Sequence, residues 1–166
     1  VVAVSLKQQM LDAARRRIED AGLGRRVALV RAPMDRLPLR SASVDLVVAH
    51  GVWNLARSAA ELRRATSEAA RVARPGAGLF VFTFSRATLA SGDQPVPGES
   101  FVFTQFAGEP QCFLTEEELV AELLRAGFEQ DPPGPLTEYN RPRSGRTLTR
   151  RCGAGDRRQL VHAARR

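Results

Sequence analysis

His50 closes an apolar run, Val44-Asp45-Leu46-Val47-Val48-Ala49, and Gly51, Val52 and Trp53 follow it at once. An imidazole so placed can serve as a general base if a substrate hydroxyl or amine comes within hydrogen-bond reach and its pKa lies near neutrality. It can equally line a pocket or the surface. Trp53 has two uses as well, stacking on a flat ligand or packing a following helix onto a sheet. Asp45 stands at the start of the run, remote from His50, and is structural by position. Cys112 and Cys152 lack metal-ligand spacing. No Ser/His/Asp order, Cys/His nucleophile or metal cluster stands out, and His162, inside a late apolar stretch, is structural.

The elements that would position His50 follow from periodicity. The stretch Ser41 to Leu55 organises the rest. Its run Val44 to Ala49, closed by glycine, predicts a parallel strand buried on both faces. In an open α/β sheet, ligands sit beyond the carboxyl ends of the strands, which puts His50 to Trp53 at the mouth of any site. Val1 to Val4 predicts a strand, Ser5 a helix N-cap, and Leu6, Met10, Leu11, Ala14 and Ile18 an amphipathic helix over 6–21. Gly22 and Gly24 stop it, and a strand follows over 27–31, giving a β-α-β unit. Leu62, Ala65, Ala69 and Val72 mark a helix over 58–73, with Ser58 and Glu61 as a capping box. Arg74 to Gly78 stops that helix before a strand over 79–84.

Beyond it, Ser85 to Ser100 is polar and rich in Gly and Pro, long enough for a lid or a substrate-side insertion. Phe101, Phe103, Phe106 and Phe113 then read either as a substrate wall or as the underside of a β-like excursion. Thr115 and Glu118 form a capping box opening a helix over 115–126, with Gly127 as its left-handed stop. Phe128 starts an extended piece, Asp131 to Pro135 is a turn, Leu136 to Pro142 is extended, and Arg141 to Gly155 is a mobile loop. A last strand covers 159–165.

With 166 residues, 43% hydrophobic and 26% charged, the chain is one globular domain able to bury a core. The net charge of +7 comes from an arginine bias, Lys7 being the sole lysine, and no basic stripe with interleaved aromatics accompanies it. Nucleic acid is therefore not an expected partner. No 18-residue apolar run and no basic start followed by a long apolar stretch occur, so membrane insertion is not expected and a cytoplasmic location is.

The order Leu37-Pro38-Leu39, then Ser-Val-Asp-Leu-Val-Val at 43–48, then a helix ending Arg-Val-Ala-Arg-Pro-Gly-Ala-Gly at 71–78, resembles class I S-adenosylmethionine-dependent methyltransferases, of the type 11-like domain. The resemblance implies an α/β, Rossmann-like, mostly parallel sheet with flanking helices, incomplete at its N-terminal side. It implies S-adenosylmethionine as cofactor, with Ser5, Leu6, Pro33, Met34, His50, Gly51 and Val52 at the cofactor-binding positions and His50 as a candidate catalytic group. In the family the second strand ends in an acidic residue that takes both ribose hydroxyls, and Ser5 stands there. An Asp is usual four positions before the Leu of Leu-Pro, and Pro33 stands there, with Asp35 two positions late. Met34 keeps the apolar place beside it, as a wall of an adenine pocket or as core. The family's glycine-rich loop has no counterpart: Gly22-Leu23-Gly24 precedes a strand and Gly76-Ala77-Gly78 follows a helix.

The expected organisation is a single methyltransferase-like domain over 1–166: a core at 1–84, a substrate-side insertion at 85–114, and a C-terminal helix and strands at 115–166. The implied activity is methyl transfer to a small-molecule acceptor. The alternative is a catalytically inactive or truncated methyltransferase-like protein acting as a partner or remnant. In the family's sheet the first strand lies between the second and fourth. A sheet without it predicts marginal stability or self-association through the unfilled edge.

Overall fold

A computed structural model of the chain describes residues 1–105, 108–130, 136–139 and 158–165. Strand β1 (Val2–Ser5) leads through helix α1 (Gln8–Asp20) to β2 (Ala28–Arg31), and the two strands pair in parallel with Val4 opposite Val30 and Ser5 opposite Arg31. Alternation of apolar residues with Arg15, Arg16 and Arg17 gives α1 its two faces, and Gly22, at φ 66°, turns the chain out of it. Ser5 is not the helix N-cap. It is the last residue of β1, and Lys7 caps α1 without a side-chain bond, although Lys7 N–H does donate to Ser5 Oγ at 3.3 Å.

Strand β3 (Val44–His50) is followed by a 3-10 turn (Trp53–Leu55), helix α2 (Ala59–Val72) and β4 (Ala73–Phe84), which pairs with β3 in parallel. Ser58 caps α2 through Glu61 N–H at 3.1 Å, but Glu61 reaches back to Arg57 N–H at 2.7 Å rather than to the cap residue. Between the pairs Val44/Ala73 and Leu46/Gly78 the register slips, and Pro75 and Gly76, the latter at φ 77°, lie in that irregular stretch of β4.

A short antiparallel hairpin, β5 (Val102–Phe103) with β6 (Gln111–Cys112), precedes helix α3 (Glu116–Arg125), and α3 opens with the reciprocal Thr115–Glu118 capping box. Then come β7 (Phe128–Gln130), β8 (Thr137–Tyr139) and β9 (Arg158–Arg165), and β9 runs antiparallel to β4, β7 and β8. The expected turn over 131–135 and the loop over 141–155 fall outside the described residues.

The chain is thus α/β, with its strands in separate sheets: β1-β2, then β3-β4-β9-β7 with β8 on β9, then β5-β6. The core lies on one face of the larger sheet. Ala77, Leu79 and Val81 of β4 and Ala49 of β3 bury against Leu62, Ala65 and Ala69 of α2 and Leu119 and Leu123 of α3. Burial of β3 on both faces is overturned. Leu46 and Val48 are each 58% exposed, because β3 is the end strand and no described element covers its other face. The alternate residues Val47 and Ala49 do pack into the core.

Candidate functional site

Two groups of the expected site residues form, each at the carboxyl ends of parallel strands. The first is made by β1 and β2. Their pairing sets Ser5 beside Arg31, Ala32 N–H donates to Ser5 O at 3.2 Å, and Arg31 Nε donates to Leu6 O at 3.2 Å. Pro33 and Met34 follow directly, and Met34 packs partly buried against the core. Leu6 is 60% exposed. The second group is His50, Gly51 and Val52 at the end of β3. His50 is exposed and stacks on Phe82 of β4 with ring centroids 4.5 Å apart. Gly51, at φ 62°, donates its N–H to Phe82 O at 2.7 Å, and a side chain added there would meet nothing within 4 Å. No pairing joins β1 to β3 among the described strands.

The charged residues near these groups are taken. Asp35 pairs with Arg64 at 3.1 Å. Asp45 pairs with Arg74, at the far end of β3 from His50. Glu68 holds Arg71 through two bonds of 2.7 Å and accepts Leu37 N–H at 2.6 Å, which fixes the Leu37-Pro38-Leu39 segment to α2. The Arg71 guanidinium keeps the Glu68 carboxylate below its ordinary range, burial opposes the shift, and the Leu37 amide adds to it. A recess of about 410 Å³ on α2, lined by Asp35, Arg63, Arg64, Ser67, Glu68 and Arg71, contains these paired charges. It is a salt-bridged surface.

Trp53 packs rather than presenting a face, being 4% exposed in the core. Three phenylalanines of the excursion do the same: Phe101, Phe103 and Phe113 are buried, Phe103 and Phe113 meeting edge to face at 6.1 Å, while Phe106 lies outside the described residues. Arg86 pins this layer, lying 5.0 Å over the Phe103 ring and bonding Glu118 at 2.6 Å and Phe113 O at 3.0 Å. Cys112 is buried, its thiol donates to Ala56 O at 3.3 Å, and burial pushes its pKa up to about 12, so it is no nucleophile. No group of His, Cys, Asp and Glu able to hold a metal exists among the described residues. Nor is any described helix long and apolar enough to cross a membrane. Sequence reasoning missed the buried polar pair of Asn54 (in the turn) and Gln111 (in β6), Asn54 Nδ2 donating to Gln111 Oε1 at 3.4 Å. Their types and separation carried no periodic signal.

A sequence family described as a methyltransferase domain matches residues 1–82. Residues 1–82 carry that methyltransferase-domain pattern, and the chain is similar along most of its length to class I S-adenosylmethionine-dependent methyltransferases. Relatives include the ubiquinone/menaquinone biosynthesis C-methyltransferases of Acidiphilium cryptum, 28% identical over 146 residues, and Pseudomonas fluorescens, 31% identical over 146 residues. Each alignment takes in 78% of this chain, which spans 57% and 56% of their lengths. A methyltransferase structure from Methanosarcina mazei matches with a TM-score of 0.71 and 19% identity, over 99% of this chain and 81% of its own. The Burkholderia thailandensis 1,6-didemethyltoxoflavin-N1-methyltransferase, solved with S-adenosylhomocysteine bound, matches with a TM-score of 0.67 and 21% identity, over 99% and 60%. These structures share the fold.

S-adenosylmethionine is the cofactor of this methyltransferase fold. The residues present fit its apolar part: an exposed Leu6, Met34 at the core's margin, and open space above Gly51. They fit the ribose less well, since Ser5 offers a single neutral hydroxyl where a carboxylate would accept from both ribose hydroxyls.

Proposed function

We propose that the domain transfers a methyl group from S-adenosylmethionine to a small, ring-bearing acceptor at the carboxyl ends of β1, β2 and β3. The observation that carries this is the β1-α1-β2 unit and the β3-α2-β4 unit, both parallel, the first inside the residues that match the family and the second inside them but for the last two residues of β4. Ser5 and Leu6 would meet the ribose and adenine, Pro33 and Met34 would wall the adenine, and His50, Gly51 and Val52 would face the transferred methyl. The sulfonium supplies the driving force when bound, and the protein contributes proximity and alignment. His50, exposed and stacked on Phe82, would be the general base where the acceptor needs to lose a proton.

The domain is read as one unit, with residues 1–84 holding cofactor, 85–114 forming an acceptor-side wall and 115–166 completing the sheet. A ring-bearing acceptor is supported by the relatives named for ubiquinone/menaquinone biosynthesis. The test supplies methyl-labelled S-adenosylmethionine with 1,4-naphthalenediol and a panel of hydroxylated rings, and counts label in the organic extract. Label above a no-enzyme control, reduced at least tenfold by His50→Ala where deprotonation is required, is the expected result.

A second function has its own observation. Ser5 and Pro33 stand where the family places carboxylates, and the outer edge of β3 has no partner among the described strands. Both suit a non-catalytic, methyltransferase-like partner. No label transfer together with no cofactor binding would favour it.

A further inference from the structure

Two polar atoms close to the turn after β3 have no partner among the described residues: Asn54 Oδ1 and Thr83 Oγ1. Asn54 is 3% exposed and Thr83 1%. An unpaired buried polar atom weighs against stability and is seldom carried in a folded interior. Such exceptions in a folded interior call for a use other than stability.

Asn54 has such a use in view. Its turn leaves β3 at Gly51, whose N–H is held by Phe82 O at 2.7 Å, and runs directly on from the cofactor-side residues His50, Gly51 and Val52. From the opposite side the turn is gripped by the insertion. Asn54 Nδ2 donates to Gln111 Oε1, the Cys112 thiol to Ala56 O at 3.3 Å, Arg57 to Glu109 at 2.8 Å, and Ala59 N–H to Glu99 at 2.8 Å. Arg57–Glu109 is exposed and so adds little rigidity. The Asn54–Gln111 contact, by contrast, joins two buried side chains and holds the Asn54 carboxamide in one orientation.

We propose that Asn54 is a positioning residue for the Gly51–Val52 turn, with Gln111 as its anchor, so that the insertion at 85–114 sets where the cofactor-side turn stands. This rests on the methyl-transfer reading above and deepens it by coupling the acceptor-side wall to the cofactor pocket. Asn54 touches neither reactant. It acts through the turn.

The experiment compares wild type, Asn54→Leu, Gln111→Met and the double variant Asn54→Leu/Gln111→Leu, measuring Tm and the Kd for S-adenosylhomocysteine by calorimetry. Each single variant leaves one buried polar group unpaired and lowers Tm. The double variant removes both, and its Tm returns to within a few degrees of wild type. The positioning role predicts that its Kd stays raised at least tenfold all the same, and that the emission of Trp53, the chain's single tryptophan, stays shifted. If the double variant does not fold, Gln111→Met, read at a temperature where it is folded, carries the same expectation. Recovery of both Kd and emission along with Tm would mean a structural role alone and would overturn the proposal. Wild type without saturable heat would instead sink the methyl-transfer reading, and this proposal with it.

Discussion

At the scale of single residues, the account turns on a few carboxylates and where they are spent. Glu68 is the clearest case, half of a pair that ties the Leu37–Leu39 segment to α2. Its carboxylate is held below the ordinary range by Arg71, so its contribution is present above the unfolded-state pKa and is lost as pH falls through the folded one. Glu68→Gln should therefore flatten the acid limb of the stability curve while lowering Tm at neutral pH. Glu68→Ala should cost about 1.5–3 kcal/mol, the worth of a charged hydrogen bond, by urea titration at pH 7. An unchanged acid limb in Glu68→Gln would assign the segment's anchoring elsewhere. Asp35 and Asp45 were legible as structural or ambiguous in sequence, and their arginine partners Arg64 and Arg74 were not. Those contacts join residues 29 apart, and no local pattern announces them.

At the scale of elements, α2 and β3 share the burden. Leu62 is 1% exposed between α2 and the sheet, and Leu62→Ala should cost about 2–5 kcal/mol by denaturant titration. A cost under about 1 kcal/mol would show that this face is not the core. Helices were read from the sequence to within a residue or two, because each has an apolar stripe and α2 and α3 have side-chain caps at Ser58 and Thr115. Ser5 misled because a serine before an apolar-periodic segment looks like a cap, whereas strand pairing with Arg31 claims it first. Burial of β3 misled for a related reason. Val-Asp-Leu-Val-Val-Ala states that a strand can be covered on two sides, but whether something covers it is a tertiary fact. Strand polarity gave the place of His50 to Trp53 at the end of β3, whereas Ser5, Leu6, Pro33 and Met34 came only with the family resemblance. The Asn54–Gln111 link was not, since it depends on how a long insertion folds back.

At the scale of the whole molecule, the open side of the larger sheet matters most. Leu46 and Val48 on β3 are each 58% exposed, and β3 ends its sheet with no partner along its outer edge among the described strands. Such an edge pairs with other chains unless charge or cover prevents it. The 166-residue chain should accordingly elute from size exclusion as more than a monomer at high concentration, and Val48→Lys should shift it toward monomer. A concentration-independent monomer with a sharp unfolding transition well above mesophilic values would mean that the edge is closed in solution.

Cofactor binding ties these scales together. The fold and the family assign S-adenosylmethionine, while Ser5 and Pro33 stand where the family resemblance leads one to expect two carboxylates. A hydrogen bond to a charged group is worth roughly 1.5–3 kcal/mol, so each absent carboxylate weakens binding on the order of ten- to hundredfold. The deciding measurement is a calorimetric titration of the chain with S-adenosylhomocysteine up to millimolar concentration. The expected result is saturable one-site heat with a Kd weaker than micromolar, weakened further by Met34→Asp. The absence of saturable heat at millimolar ligand would contradict a cofactor site at these strand ends, and a micromolar or tighter Kd would contradict the part given to the missing carboxylates.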